Sequence, residues 1–246
     1  MKMSKTRLYI EKELSTNIMI YIKDKQHHFL KNVLRIKIHD TITVFDGKSG
    51  EWLSKVVSIN RDNVVLQIIT KNRDLEPETD LWLIFAPIKL FRMNITIQKA
   101  TELGVSRFIP CITQNTNQPR INIRNLKMNI IEAAEQSERL TLPLLEKSIK
   151  LNDLLNNFPK DRGIIFCDEN NKDLPSINEI LHNYIDKYKK WAVLIGPEGG
   201  FTDIEVNKIE SVSSSIPISL GKRILRSDTA STAAIFSIQS IIEKQL

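Results

Sequence analysis

Apolar and polar positions along the chain change rhythm once. Up to about residue 70 the apolar residues come in short β-branched runs separated by turn residues. Thr41–Phe45 stops at Asp46-Gly47-Lys48-Ser49-Gly50, Glu51–Ile59 stops at Arg61-Asp62-Asn63, and Val64–Thr70 closes the series. Strand-forming runs at this spacing predict a meander, and from it a small β-barrel. Ahead of the meander, Asp24 can cap a helix running to about Leu34, with Phe29, Leu30, Val33 and Leu34 on one face. Lys71–Glu78 is charged, polar and interrupted by Pro77, as a linker would be.

Beyond that point, strand-like runs alternate with helical periodicity. The runs are Leu81–Ala86, Arg107–Ile112, Gly163–Cys167, Lys190–Ile195 and Pro217–Leu220. Between and after them come Met93–Leu103, Asn122–Arg139, Ser176–Tyr188, Asp203–Ser211 and Thr229–Lys244. Such alternation predicts an α/β fold on a parallel sheet. The expected organisation is therefore two modules, residues 1–73 and 79–246.

Composition agrees with a folded chain. Of 246 residues 41% are hydrophobic and 26% charged, enough to bury a core in one large or two modest domains. The longest apolar run, Leu81–Ile88, contains Pro87 and falls far short of the roughly 20 residues of a membrane span. No apolar stretch follows Met1-Lys2-Met3-Ser4-Lys5, so no secretory signal is expected. Two cysteines, Cys111 and Cys167, are too few for a disulfide framework or a structural zinc site, and both follow apolar runs as core residues do. The expectation is a soluble cytoplasmic protein with no membrane segment and no metal.

Charge changes the picture because it is uneven. Residues 1–73 carry 14 Lys/Arg against 7 Asp/Glu, a net +7, whereas residues 74–246 carry 21 against 22, a net −1. A basic module beside a neutral one points to a polyanionic partner. The candidate phosphate contacts are Lys23, Lys25, Lys31, Arg35 and Lys37, along one helix and its flanks, with His27 and His28 able to touch bases or sugars. The histidine pair has no carboxylate or cysteine at ligand spacing and does not suggest a metal.

Only eight glycines occur, four of them between positions 196 and 221. Leu194-Ile195-Gly196-Pro197-Glu198-Gly199-Gly200-Phe201 takes an apolar strand into a sharp turn before a helix capped by Thr202 or Asp203. Glycines at the carboxyl end of a strand let backbone approach a ligand, although a tight strand–helix turn alone would use them too. This cluster has neither the G-x-G-x-x-G spacing nor a G-K-[ST], which argues against a dinucleotide fingerprint and a phosphate loop here. A second strand ends at Leu220-Gly221, and Lys222-Arg223-Ile224-Leu225-Arg226 leads to a helix with Ser227 or Asp228 as its cap. Arg226, just before a helix start, can face an anion or developing negative charge, or simply pair with Asp228 or Glu198. Two further segments need no chemistry: Gln98–Val105 ends a helix on Gly104, and Glu132–Arg139 suits a solvated face or a subunit interface.

Taken in order, His27–Arg35, Thr41–Gly47, Lys99–Val105, Glu132–Arg139, Gly196–Phe201 and Leu220–Ala230 resemble the ribosomal RNA small subunit methyltransferase E family of the SPOUT superfamily. The pairing of GPEGGF with LG-x-x-I-L-R-x-x-T-A is highly specific, and the likeness covers nearly the whole chain. It implies transfer of a methyl group from S-adenosylmethionine to N3 of a uridine in 16S rRNA. It also implies a PUA-like barrel that engages RNA, then a SPOUT-type α/β domain with a C-terminal trefoil knot, working as a homodimer on the small ribosomal subunit. Small residues at Ala230, Ala233 and Ala234 suit close approach across such an interface.

Carried over by position, Leu194, Ile195, Gly196, Pro197, Gly199, Gly200, Leu220, Gly221, Ile224, Leu225 and Arg226 would hold the cofactor. Arg226 would stand at the methyl-transfer point as a catalytic residue. Glu198, the second catalytic candidate, would accept the N3 proton or orient the cofactor's ammonium group. Three positions depart from the family pattern: Ser227-Asp228 in place of Thr-Glu, Asn115 where many relatives carry arginine, and His39 where glycine is usual. Two alternatives share the fold: a ribose 2′-O-methyltransferase and a non-catalytic RNA-binding or assembly protein.

Overall fold

A computed structural model describes residues 3–118, 120–168 and 174–242 of the chain. The chain divides into two compact units: Met1–Pro77 with Ala134–Leu142, and Glu78–Ala133 with Pro143–Leu246. Ala134–Leu142 thus lies with the first unit, although it falls within the 79–246 stretch.

The first unit is a five-stranded sheet in the order β1-β3-β4-β5-β2. Its strands are β1 (Met3–Tyr9), β2 (Met19–Ile22), β3 (Thr41–Phe45), β4 (Glu51–Ile59) and β5 (Val64–Arg73). β1 runs parallel to β3, and the remaining pairs are antiparallel. Leu8, Ile22, Leu30, Ile42, Val56 and Leu66 are among the residues that close its core. The expected linker begins later than the sequence suggests: Lys71 and Arg73 still pair with Trp52 and Glu51, so β5 runs to Arg73.

The expected helix from Asp24 to Leu34 is two elements. α1 (Asp24–His28) passes into a π-helical turn, Phe29–Val33, closed by Leu34 N–H donating to the Phe29 carbonyl at 3.0 Å. A π turn adds a residue per turn, so positions that share a face in an α-helix no longer do. Of the four expected apolar contacts only Leu30 is buried, while Phe29, Val33 and Leu34 are 38%, 59% and 37% exposed. Asp24 does not cap: Lys23 holds the N-cap position without a side-chain bond, and Asp24 has φ +52°.

Ala134–Leu142 is docked, not solvated. Arg7, buried on β1, bonds Glu51 Oε2 through Nε at 3.0 Å and reaches the carbonyls of Ala134 and Arg139 at 3.3 Å. Phe45, Ala134 and Leu140 form a small apolar cluster beneath the guanidinium, whose carbon lies 4.9 Å from the Phe45 ring centre.

The second unit holds a parallel sheet in the order β12-β10-β11-β6-β7-β8, with β9 also paired to β7. These strands are β6 (Leu81–Phe85), β7 (Arg107–Ile112), β8 (Leu144–Leu145), β9 (Ile149–Lys150), β10 (Arg162–Cys167), β11 (Lys190–Ile195) and β12 (Ser215–Ile218). The helices are α2 (Leu90–Glu102), α3 (Ile123–Gln136), α4 (Leu151–Asn156), α5 (Ile177–Tyr184), α6 (Asp203–Glu210) and α7 (Ser227–Ile242). The expected strands and helices are present with shifted ends, and α2 stops at Gly104 as anticipated. Glu243 and Lys244, in the expected last helix, lie outside the described residues. Among the described residues no helix is long and apolar enough to cross a membrane.

Register is what matters for the site. Phe166 of β10 stands opposite both Leu194 of β11 and Pro217 of β12. Three neighbouring strands therefore end at one level, and their following loops meet.

His39 gives the fold its clearest local test. Its φ of +77° is a left-handed conformation, costly for a residue with a Cβ and natural for glycine. The replacement His39→Gly should stabilise the protein by about 0.5–1 kcal/mol, the relief of strain being partly offset by the greater freedom of the unfolded chain. Urea unfolding measures this directly, and a destabilised variant would contradict it.

Candidate ligand cleft at the ends of three strands

Cys167 and Asp168 after β10, Ile195 to Pro197 after β11, and Ser219 to Gly221 after β12 line a cleft of about 680 Å³, its open mouth included. Gly200, Phe201, Arg223, Leu225, Ser227 and Ala230 complete the wall. The carboxyl ends of parallel strands are where open α/β sheets bind small ligands.

Backbone shape keeps the cleft open. A Cβ on Gly196 would come 2.7 Å from the Phe201 ring, which is itself held edge-on against Phe166 with centres 5.4 Å apart. Gly221 has φ +106° and nothing within 4 Å of where a Cβ would stand. Here glycine is required by conformation, not by crowding.

Long-range hydrogen bonds hold these turns. Asn115, in the loop after β7, donates through Nδ2 to the carbonyls of Gly199 at 2.9 Å and Gly200 at 3.1 Å. Next to it, Gln114 N–H donates to Glu205 Oε1 at 2.8 Å. Glu205 also accepts from Thr202 N–H, closing a capping box in which Thr202, not Asp203, is the N-cap of α6. Ser227 Oγ donates to the Gly196 carbonyl at 3.3 Å, which ties the start of α7 to the other glycine turn. α7 begins at Ser227, and its first carbonyl acceptor is Arg226, bonded by Ala230 N–H at 2.8 Å. Neither Ser227 nor Asp228 is its cap, and Asp228 Oδ1 is buried with no hydrogen-bond partner among the described residues.

The sequence candidates divide between wall and surroundings. Ile195, Gly196, Pro197, Gly200, Leu220, Gly221 and Leu225 share the cleft wall. Leu194 is buried in the core behind it, Gly199 faces Asn115, and Ile224 is 73% exposed. Arg226 is exposed, and its side chain has no ion pair or hydrogen bond among the described residues. Among the described residues it pairs with neither Asp228 nor Glu198, and Glu198 is bonded instead to Arg92, in the first turn of α2. Sequence reasoning missed Arg92, and it singled out Asn115 only as a departure from the family's arginine, not as a brace of this turn: each meets its partner across more than 80 positions of chain.

Cys167 departs from the core role expected of it, since it lines the cleft. Burial pushes both its thiol and that of Cys111 up to about 12, so neither is a nucleophile near neutrality.

In the first unit, Lys23, Lys25, His28, Arg35 and Lys37 are exposed. Lys31 donates to the Asn60 carbonyl at 2.9 Å. His27 turns a buried Nε2 inward, without a partner among the described residues.

Comparison with known proteins adds to this geometry. A family model described as an RNA methyltransferase domain matches residues 75–239, and one described as an RNA methyltransferase PUA domain matches residues 22–69. The chain is 34% identical over 238 residues to ribosomal RNA small subunit methyltransferase E of Rickettsia conorii, with 96% of each chain covered. It is 30% identical to the protein of that name from Buchnera aphidicola of Acyrthosiphon pisum, over 96% of this chain and 93% of that one. Among solved structures, ribosomal RNA small subunit methyltransferase E from Neisseria gonorrhoeae, bound to S-adenosyl methionine, is similar with a TM-score of 0.84 at 27% identity. There 96% of this chain and 97% of the other are covered.

The Asn115 clamp can be tested without any ligand. Loss of two neutral hydrogen bonds, together about 1–2 kcal/mol, should open the turn roughly 5- to 30-fold more often in Asn115→Ala. Hydrogen exchange of the Gly200 amide, which is bonded to the Pro197 carbonyl at 3.0 Å, reads that opening. Unchanged exchange would show that the turn supports itself.

Proposed function

We propose, because the chain belongs to the ribosomal RNA small subunit methyltransferase E family of the SPOUT superfamily, that it methylates N3 of a uridine in 16S rRNA with S-adenosylmethionine as donor. The observation that carries the proposal is a glycine-walled cleft at the level ends of β10, β11 and β12 with an unpaired arginine, Arg226, at the start of the helix beside it.

The cleft residues fit that cofactor. Ile195 to Pro197 and Leu220-Gly221 bring main chain to the cleft where an adenine and ribose would lie, with Ile195 and Leu225 as apolar neighbours. Bound there, S-adenosylmethionine supplies an electrophilic methyl group on a sulfonium.

The remaining work belongs to the chain. Uracil N3 becomes a good nucleophile only as its proton leaves, and the negative charge then spreads onto O2 and O4. A cation that meets this charge stabilises the transition state more than the ground state. Arg226 is suited to that role because no partner among the described residues neutralises it, and it is not the base, since arginine keeps its proton in proteins. Arg92 fixes Glu198, which favours an orienting role for that carboxylate over that of a mobile base. Positioning of the two reactants for in-line transfer supplies much of the remaining acceleration.

The wider reading follows the same family. The first unit is a PUA-like barrel whose lysines and arginines grip RNA phosphates. The second unit carries the trefoil knot of SPOUT enzymes and pairs with a second copy of the chain. Phe236, 61% exposed on α7, supports a covered surface there. Ala230 and Ala234 of the small-residue face are already buried within the chain. The substrate is the small ribosomal subunit in the cytoplasm.

The replacement Arg226→Ala separates binding from chemistry. Single-turnover methyl transfer should fall by about 10²-fold or more, the usual scale for losing one charge-stabilising group. Calorimetric affinity for S-adenosylmethionine should change far less, because the cleft wall does not include Arg226. Near-wild-type transfer would remove Arg226 from the reaction.

A further inference from the structure

The opposite edge of the same sheet is strongly charged. Lys160 and Asp161 before β10, Lys187 to Lys189 before β11 with Lys190 at its start, and Ser213 before β12 line one open cleft. These connections enter the amino ends of the strands whose carboxyl ends form the ligand cleft. β10 is six residues long, so the two clefts stand about 20 Å apart.

Lys190 is paired with Asp161 at 2.7 Å, which leaves Lys160, Lys187 and Lys189 without an ion pair among the described residues. The Lys187 ammonium lies 5.5 and 5.1 Å from the ring centres of Tyr184 and Tyr188. Residues 74–246 carry a net charge of −1, so this concentration does not follow from the bulk composition of the unit. A helix C-terminus accounts for part of it: Lys187 N–H donates to the Tyr184 carbonyl at the end of α5 at 3.0 Å, whereas Lys160 stands four residues beyond the end of α4.

We propose that this cleft is a second RNA-contact surface, taking the phosphate backbone of an rRNA segment other than the one that presents the target uridine. The inference rests on the function proposed above. Exposed ammonium groups on separate connections act as point charges, which suits successive backbone phosphates. A small anion would instead need converging donors in a recess.

The test compares wild-type protein with the triple variant Lys160→Gln, Lys187→Gln, Lys189→Gln. Binding is measured from about 50 to 200 mM salt with a 16S rRNA transcript and with a short single-stranded RNA of about 20 nucleotides. For the transcript, the log–log salt slope should flatten by about two units, at 0.7–0.9 per lost contact. The slope for the short RNA, the affinity for S-adenosylmethionine and the melting temperature should stay as in wild type. The corresponding Lys→Arg triple should keep the wild-type slope. An unchanged transcript slope overturns the proposal, as does equal flattening on the short RNA or in the arginine variant. A wild-type protein with no salt-dependent RNA binding overturns this proposal together with the reading it rests on.

Discussion

Three parallel strands that end level with one another are the constraint on which the second unit depends. Because β10, β11 and β12 stop in register, the loops after them converge, and any side chain pointing inward there would fill the space between. Gly196 and Gly221 answer the constraint in different ways, one by close approach to Phe201 and the other by a positive φ. Such turns have little intrinsic rigidity. Asn115, Glu205 and Ser227 supply it, each bonding to backbone across the cleft or beside it. The candidate cleft thus combines glycine turns with side chains such as Ile195, Phe201 and Leu225, and polar residues beside it brace the turns.

The first unit solves a different problem. Its buried cation, Arg7, is satisfied jointly by the Glu51 carboxylate and by carbonyls of a segment more than 120 residues later in sequence. Removing a charge from water is costly unless its donors are met, so this cluster specifies where Ala134–Leu142 must dock. The docking recruits a distant stretch into a unit whose sheet is otherwise built from residues 3–73.

Much of this was legible in the sequence wherever the signal was local. Apolar runs such as Leu81–Phe85 and Lys190–Ile195 have no competing interpretation as surface, and the two glycine clusters stand out in a chain with so few glycines. β1 escaped because Lys5, Thr6 and Arg7 break the alternation, and Arg7 turns inward to meet a carboxylate supplied by β4. The two-residue strands β8 and β9 are too short to have a period. The π turn at Phe29–Val33 defeated an α-helical face count that assumed 3.6 residues per turn. Arg92 looks like an ordinary polar residue until the fold brings Glu198 to it, and Asn115, visible only as a departure from the family's arginine, gains its role once the glycine turn meets it. The lysine cleft was hidden by averaging: its members lie between residues 160 and 190, inside a stretch whose charges nearly cancel.

The central claim is that the glycine-walled cleft serves methyl transfer to a base of small-subunit rRNA. Its most direct test is to incubate the protein with labelled S-adenosylmethionine and small ribosomal subunits that lack the modification, then digest the rRNA and identify the labelled nucleoside by mass spectrometry. The account predicts a single product, uridine carrying one methyl group on N3 of its base. Label on the ribose, on another base, or on no nucleoside at all would contradict it.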